Sequence, residues 1–172
     1  MTEQEQIIQA KKNPKDFAPL YKKYHKQILL YCYQRVSNKS IASDMCSQVF
    51  LKALQNIKKY EDRGLSFGAW LYRIASNEIN SHYKKNKRVI NITDEIIRTL
   101  FEELEYDNSE EKQNLFFALK KLKPVQYQLI QLRFWEGRKY QEIAEIMDLT
   151  ETNAKVKTYR VLDKLKLILV NK

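Results

Sequence analysis

Glycine and proline are scarce in this chain. It has 3 of each in 172 residues, where average usage would supply roughly twelve glycines alone. Tight hairpin turns need residues that tolerate positive φ or pre-set a turn, so a sheet of many short strands lacks its connectors here. Long helices with few connections are what remains. Gly64, Gly68 and Gly137 fit neither G-x-G-x-x-G nor G-x-x-x-x-G-K-[ST], which excludes both glycine-dependent phosphate cradles. At 44% hydrophobic residues, the chain has material for a core and is not a disordered tail.

Apolar spacing then places the helices. Phe17, Leu20, Tyr21, Tyr24, Ile28, Tyr31 and Cys32 recur every three or four residues and predict one helix over about 15–36. Cys46, Val49, Phe50, Ala53, Ile57 and Tyr60 predict a second over about 40–60, with Ser40 as N-cap. Phe67, Trp70, Leu71, Ile74 and Ala75 open a third that runs into the basic stretch HYKKNKR. Further on, Leu115, Phe116, Leu119 and Leu122 form a short helix stopped before Pro124, and Pro124 suits the first turn of the next. Two more helices follow, YQEIAEIM and a long one from Glu151 to near Leu169. No segment alternates with period two. The expected fold is all-α, in two small helical domains joined by an acidic linker.

Charge marks the boundaries. Residues 1–90 carry 17 basic and 7 acidic side chains, residues 91–111 carry 8 acids against the single Arg98, and residues 112–172 carry 13 bases against 6 acids. Two basic blocks thus flank an acidic middle, read as a linker, in which Ile96, Ile97, Leu100, Phe101 and Leu104 could still form an apolar stripe. A net charge of +10 points to nucleic acid or another anionic surface as partner. No apolar run approaches the eighteen or so residues of a membrane span. The polar start, Met1 to Lys15, has no apolar signal core, so the expected place is the cytoplasm, without membrane insertion.

The most specific local pattern lies at Tyr140–Leu165. Two helices are separated by Asp-Leu-Thr, with the small Ala144 where a helix-turn-helix brings its helices closest. Asp148 takes the position that needs positive φ, where Asp is tolerated less well than Gly. Leu149 plugs the gap, Thr150 caps the second helix, and Ile143, Met147 and Ala154 complete the buried seam. The second helix then offers Glu151, Thr152, Asn153, Lys155, Lys157, Thr158 and Arg160 to a major groove, polar tips for base edges and cations for phosphates. The plain alternative is a helical hairpin with a solvated charged face.

In the first domain the second helix presents Asp44, Gln48 and Gln55 at four- and seven-residue intervals, with Lys52 beside them. The third presents Arg73, Asn77 and Lys84. Aromatic Phe67 and Trp70 near a basic helix suit stacking on unpaired bases, or else they are core. Paired carboxylates with metal-like spacing, an activated nucleophile and a C-x-x-C pair are all lacking, so neither an enzyme nor a zinc site is indicated, and no cofactor is called for. Cys32 and Cys46 read as small buried residues. Asp44, Glu61 and Asp62 read as surface charges.

These segments resemble, in order, the extracytoplasmic-function (ECF) group of bacterial sigma factors. DMCSQVFLKAL at 44–54 is similar to the group's D-L-V-Q-E-T-F-L-K-A-W helix, and FGAWLYRIASN at 67–77 followed by HYKKNKR to its F-x-x-W-L-Y-R-I-A-x-N and basic end. LIQLRFWEGRKYQEIAEIMDLTETNAKVKTYR is similar to the second-domain pattern L-x-x-V/R-x-L-R-Y-x-E-G-x-S-Y-x-E-I-A with a V-K-x-R-x-x-R helix. The resemblance covers about 17–90 and 112–168.

What the resemblance implies is transcription initiation. The first domain (1–90) would dock on core RNA polymerase through Asp44, Gln48, Leu51 and Gln55. It would hold open the downstream promoter element with Phe67, Trp70, Arg73, Asn77, Lys84 and Lys85. The last domain (112–172) would read the upstream element as duplex promoter DNA through Thr152, Asn153, Lys155, Lys157 and Arg160. Residues 91–111 would pass near the RNA exit path, and an anti-sigma factor would be a partner. The chain departs from the group's pattern at Ser47 and Gln48, at Gly68, Ser76 and Ser81, at Asp148, and at Ala154 and Lys157. A polymerase-independent dimeric helix-turn-helix regulator is the rival reading; it would need a dimer and a palindromic site.

Overall fold

A computed structural model of the chain describes residues 1–86, 97–98 and 109–171. Its packing divides into two units, Met1–Lys87 and Arg88–Lys172. Among the described residues every regular element is helical.

The first unit begins with a helix the sequence reading passes over. α1 spans Glu3–Lys12 and buries Ile7 and Ala10. Its start is a capping box: the Glu5 backbone N–H donates to Thr2 Oγ1 at 3.2 Å, and the Thr2 N–H donates to Glu5 Oε2 at 2.7 Å, so two amides without helical partners are satisfied. Asn13 caps a 3₁₀ turn, Pro14–Phe17, that leads into α2, Ala18–Val36. Ser37 then adopts the left-handed conformation at φ 54°, and α3 follows at once as Lys39–Asn56. So short a link leaves α2 and α3 as neighbouring antiparallel helices. The N-cap of α3 is Asn38, whose Oδ1 accepts from the Ile41 N–H at 3.0 Å. Ser40 lies inside the first turn instead, because Asn caps as well as Ser and sits at the residue where the backbone is still extended. A 3₁₀ turn, Ile57–Lys59, and a loop with Gly64 at φ +78° lead to α4, Phe67–Lys85, capped by Ser66.

Three helix faces make this core. Leu20, Ile28, Tyr31 and Cys32 of α2 meet Ala42, Val49 and Ala53 of α3 and Leu71, Tyr72, Ala75 and Ile79 of α4, all buried. Tyr31 and Tyr72 pack edge to face with centroids 5.0 Å apart, a geometry that aromatic quadrupoles favour. Burial pushes the Cys32 thiol up to about 12 and the Cys46 thiol to about 11, so both stay protonated and apolar at neutral pH.

In the second unit Ser109 caps α5, Glu110–Lys120. Pro124 opens α6, Pro124–Ile130. It does not run on as a regular α-helix. From Gln131 to Trp135 the ladder widens into a π-helical turn, with the Glu136 N–H bonded to the Gln131 carbonyl at 2.9 Å. Gly137 at φ +61° ends it, and α7 (Tyr140–Met147) and α8 (Glu151–Val170) follow. α8 packs on α5, α6 and α7 through buried Ala154, Val161 and Leu165.

Most of the acidic stretch at 91–111 lies outside the described residues, as do Ile96, Leu100, Phe101 and Leu104 of its stripe. Ile97 is described and is buried.

Leu71 is fully buried where α4 meets its neighbours. Leu71→Ala should cost about 2–5 kcal/mol through lost burial and a residual cavity. The measurement is a urea titration, with the midpoint lowered at unchanged slope.

Candidate nucleic-acid and partner interfaces

α3 turns one face inward and leaves the other to solvent. Asp44, Gln48, Leu51 and Gln55 are all exposed, and their spacing of four, three and four residues stacks them along one stripe. Leu51 is 46% exposed, an apolar side chain amid polar ones. Ser47 lies in the next row, also exposed.

α4 is different, because its start is locked by rings. The Phe67 ring lies 5.8 Å from Tyr24, 5.2 Å from Tyr60 and 5.3 Å from Trp70, and the residue is 1% exposed. Phe67 is therefore core and offers no face to a base, a correction to its placement among the strand contacts. The packing is what decides: Tyr24, Tyr60 and Trp70 crowd the ring and leave almost none of it to solvent. Trp70, three residues on, is half-exposed and leans on Tyr60 at 4.9 Å.

Beside Trp70 a cleft of about 410 Å³ opens between the end of α3 and the middle of α4. Tyr60, Trp70 and Ile74 wall it, Asn56 and Asn77 bring amides, and Lys59 a cation. The Lys52–Glu78 ion pair closes one side. Burial, with Asp62 and Glu3 nearby, pushes the Tyr60 hydroxyl up to about 12, so it keeps its proton. An aromatic wall with amides at its edge can hold a flat heterocycle and hydrogen-bond its rim. Trp70 and Asn77 meet at this cleft. Arg73 is half-buried on the flank, while Lys84 and Lys85 stand exposed in the last turn of α4, where cations suit the helix dipole. Asn56, Lys59 and Tyr60 were not among the sequence candidates. They lie before the loop, and only the fold brings them to Trp70.

In the second unit the helix-turn-helix closes as its spacing suggests. Asp148 is left-handed at φ 55° and ψ 50°, and the Leu149 N–H bonds the Ala144 carbonyl at 2.8 Å. Thr150 Oγ1 accepts from the Asn153 N–H at 3.1 Å. Ile143, Ala144 and Ala154 are buried together with Ile146, whereas Met147 and Leu149 are half-exposed. At the other end of α7, Glu142 accepts from the Lys139 N–H at 3.0 Å and lies 3.6 Å from Arg138.

Along α8, Thr152, Asn153, Lys155, Lys157 and Arg160 are all exposed. Thr158 is not. It is fully buried and its hydroxyl bonds the Ala154 carbonyl at 2.8 Å, because it shares the inward row with Ala154, Val161 and Leu165. Two further residues join the outer face: Val156 at 41% and Tyr159 at 52% exposure. Apolar contact of this sort is how a major-groove helix meets a thymine methyl. Among the described residues no group of acidic, His and Cys side chains could hold a metal, and no helix is long and apolar enough to cross a membrane.

Comparison with known proteins places both units. The Sigma-70 region 2 family matches residues 20–89 and the Sigma-70, region 4 family matches residues 112–165. The RNA polymerase sigma factor SigV of Bacillus subtilis is 30% identical over 140 residues, covering 80% of this chain and 82% of SigV. The ECF RNA polymerase sigma factor BldN of Streptomyces coelicolor is 33% identical over 154 residues, 85% of this chain; the chain spans 57% of BldN's length. The structure of the sigma factor RpoE in complex with the anti-sigma factor NepR from Bartonella quintana superposes with a TM-score of 0.66 at 21% identity, covering 90% of this chain and 97% of RpoE. CnrH, solved in complex with the cytosolic domain of CnrY, gives 0.66 at 19%, covering 97% and 96%. Both share the fold.

Thr150 is the cap on which the presentation of Asn153 depends. Thr150→Ala should destabilise the second unit by about 1 kcal/mol, while Asp148→Gly should stabilise it by about 0.5 kcal/mol by relieving the left-handed backbone. Thermal unfolding of the two variants should shift in opposite directions.

Proposed function

The chain belongs to the extracytoplasmic-function group of RNA polymerase sigma factors, and on that premise we propose how its two surfaces divide the work. It binds core RNA polymerase and directs promoter-specific transcription initiation, with no bond chemistry of its own. It works in the cytoplasm, where promoter and polymerase are. The exposed stripe Asp44, Gln48, Leu51 and Gln55 docks on the polymerase: Leu51 supplies desolvated area and the polar residues set register. The cleft beside Trp70 takes a base that has left the stack, with Asn77 at its rim, and Arg73, Lys84 and Lys85 follow the strand's phosphates. α8 reads the upstream element as duplex through Thr152, Asn153, Lys155, Lys157 and Arg160. Residues 91–111 are the tether between the reading units.

The observation that carries this reading is the half-exposed Trp70 leaning on Tyr60 above a cleft edged with amides. Unstacking a base costs a few kcal/mol, and stacking returns roughly 1–3 kcal/mol for each base held. Capture alone is therefore nearly neutral. It becomes effective when polymerase and the upstream contact hold the unit in place, because tethering raises the local concentration of the second event. RpoE and CnrH were each solved in complex with a partner, NepR named as an anti-sigma factor. By extension this chain is held in check by a protein antagonist of that kind. The dimeric, polymerase-independent regulator gains no support from either unit.

Run-off transcription with core polymerase and a pool of upstream regions tests the whole reading. Transcripts should start at a distinct subset of sites, and indiscriminate starts would sink it. On a site so chosen, Arg160→Ala should weaken use of the upstream element by about 1–3 kcal/mol with polymerase affinity unchanged. Trp70→Ala should leave duplex binding intact and reduce strand opening, read by permanganate attack on unpaired thymines, by about 1–3 kcal/mol.

A further inference from the structure

We propose that α1 is the positioning element of the cleft: Lys11 and Glu3 grip the two ends of the loop at residues 60–66, so the first helix sets the shape offered to an unpaired base. The inference rests on the reading of the cleft as the place of strand capture. That loop leaves the 3₁₀ turn at Tyr60 and re-enters a helix at Phe67. At its start, Lys11 Nζ donates to the Tyr60 carbonyl oxygen at 2.6 Å, and the same ammonium stands 5.7 Å from the Tyr60 ring centroid. At its end, Glu3 and Phe67 line one cavity, and against the opposing effect of burial, Lys23, Tyr24 and the Phe67 backbone N–H hold the Glu3 carboxyl below its ordinary range. Glu3 is itself held by the Tyr24 hydroxyl at 2.7 Å and by an ion pair with Lys23.

Eight residues of helix rise about 12 Å. One rigid rod therefore reaches from one end of the loop to the other. The Phe67 amide lies in the first turn of α4, where backbone N–H groups have no helical partner, and a carboxylate there is also favoured by the helix dipole. Residues of α1 do not line the cleft. They line a second cavity of about 290 Å³, where Ile7 and Lys11 face Phe67 and Tyr60. Tyr60 is a wall shared by the cleft and the α1 cavity. Removing the grip of Lys11 frees the backbone that carries this wall, and the base pocket loses its fixed width.

The test uses the full chain assembled with core polymerase, on a promoter taken from the run-off selection whose downstream element has been pre-opened by mismatched strands. The readout is the ratio of affinities for the preferred base and its single-base replacements. Lys11→Met is expected to cut that ratio about tenfold with core polymerase affinity unchanged. Lys11→Arg should retain it, because a guanidinium can still donate to the Tyr60 carbonyl. Glu3→Ala, at the other end of the loop, should lower the same ratio, and it decides the matter if Lys11→Met unfolds the unit. Undiminished discrimination in both variants overturns the inference and leaves the capture reading standing. Loss of polymerase affinity in folded variants overturns it too, since α1 would then belong to the docking surface. A wild-type holoenzyme that does not discriminate bases on the pre-opened template removes the underlying reading instead.

Discussion

The aromatic cluster of Tyr24, Tyr60, Phe67 and Trp70 is the constraint on which the first unit turns. Phe67 sits at the centre, with the other three rings 5.2 to 5.8 Å from it. Those rings come from α2, from the turn after α3 and from α4, so a single packing event fixes three elements and the entry of the loop between two of them. Offset and edge-on ring pairs contribute about 0.5–1.5 kcal/mol each beyond the area they bury. The cluster also decides what is left outside. With Phe67 spent on the core, Trp70 is the ring that reaches the cleft, and its tilt is set by Tyr60 beneath it. Core and candidate site therefore share residues, and a change that loosens one changes the other.

The second unit solves a different problem with cheaper parts. A reading helix must be held at a fixed angle while most of its side chains stay free. Ala154, Thr158, Val161 and Leu165 commit a narrow row of α8 to packing, which leaves the remaining arc for contact. Thr158 shows how a polar residue can serve in that row: its hydroxyl is satisfied by the Ala154 carbonyl one turn back, so it needs no outside partner. Asp148 holds the turn in a conformation that costs most residues free energy, and Thr150 and the Leu149 amide tie it down on both sides.

Helix existence was legible in the sequence wherever apolar residues recur on one face, as in α2, α3 and α4. α1 was passed over because its apolar stripe is thin, with Ile7 and Ala10 set among Gln, Glu and Lys. The signal that could have found it is Thr2 followed three residues later by Glu5, a capping box at the start of an otherwise polar run. The π-helical turn at Gln131–Trp135 has no periodic signature of its own. For the sites, spacing sorted the outward rows of α3 and α8 well, with Thr158 assigned to the wrong row. Phe67 and Trp70 looked equivalent, since both are aromatic residues at the head of a basic helix. Which ring is enclosed depends on Tyr24 and Tyr60, far away along the chain, and local pattern carries no such information. Tyr60, Asn56 and Lys59 were missed for the same reason.

The departures from the family pattern separate by burial into two kinds. Ser76 is 3% exposed, so this departure is accommodated inside the unit and alters packing before it alters any contact. Asp148 is exposed but confined to the turn, where its effect is on backbone strain. Ser47, Gln48, Ser81 and Lys157 are exposed, and these can change what the protein touches. At Ser47 and Gln48 the exposed stripe of α3 carries one carboxylate fewer than the family pattern, which leaves Asp44 as its acid. At Lys157 a point charge replaces a planar fork, and an ammonium holds a phosphate well but cannot bridge two guanine acceptors with the same rigidity. On the proposed role of α8 as the reading helix, that exchange favours backbone contact at this position and leaves base discrimination to residues such as Asn153 and Arg160.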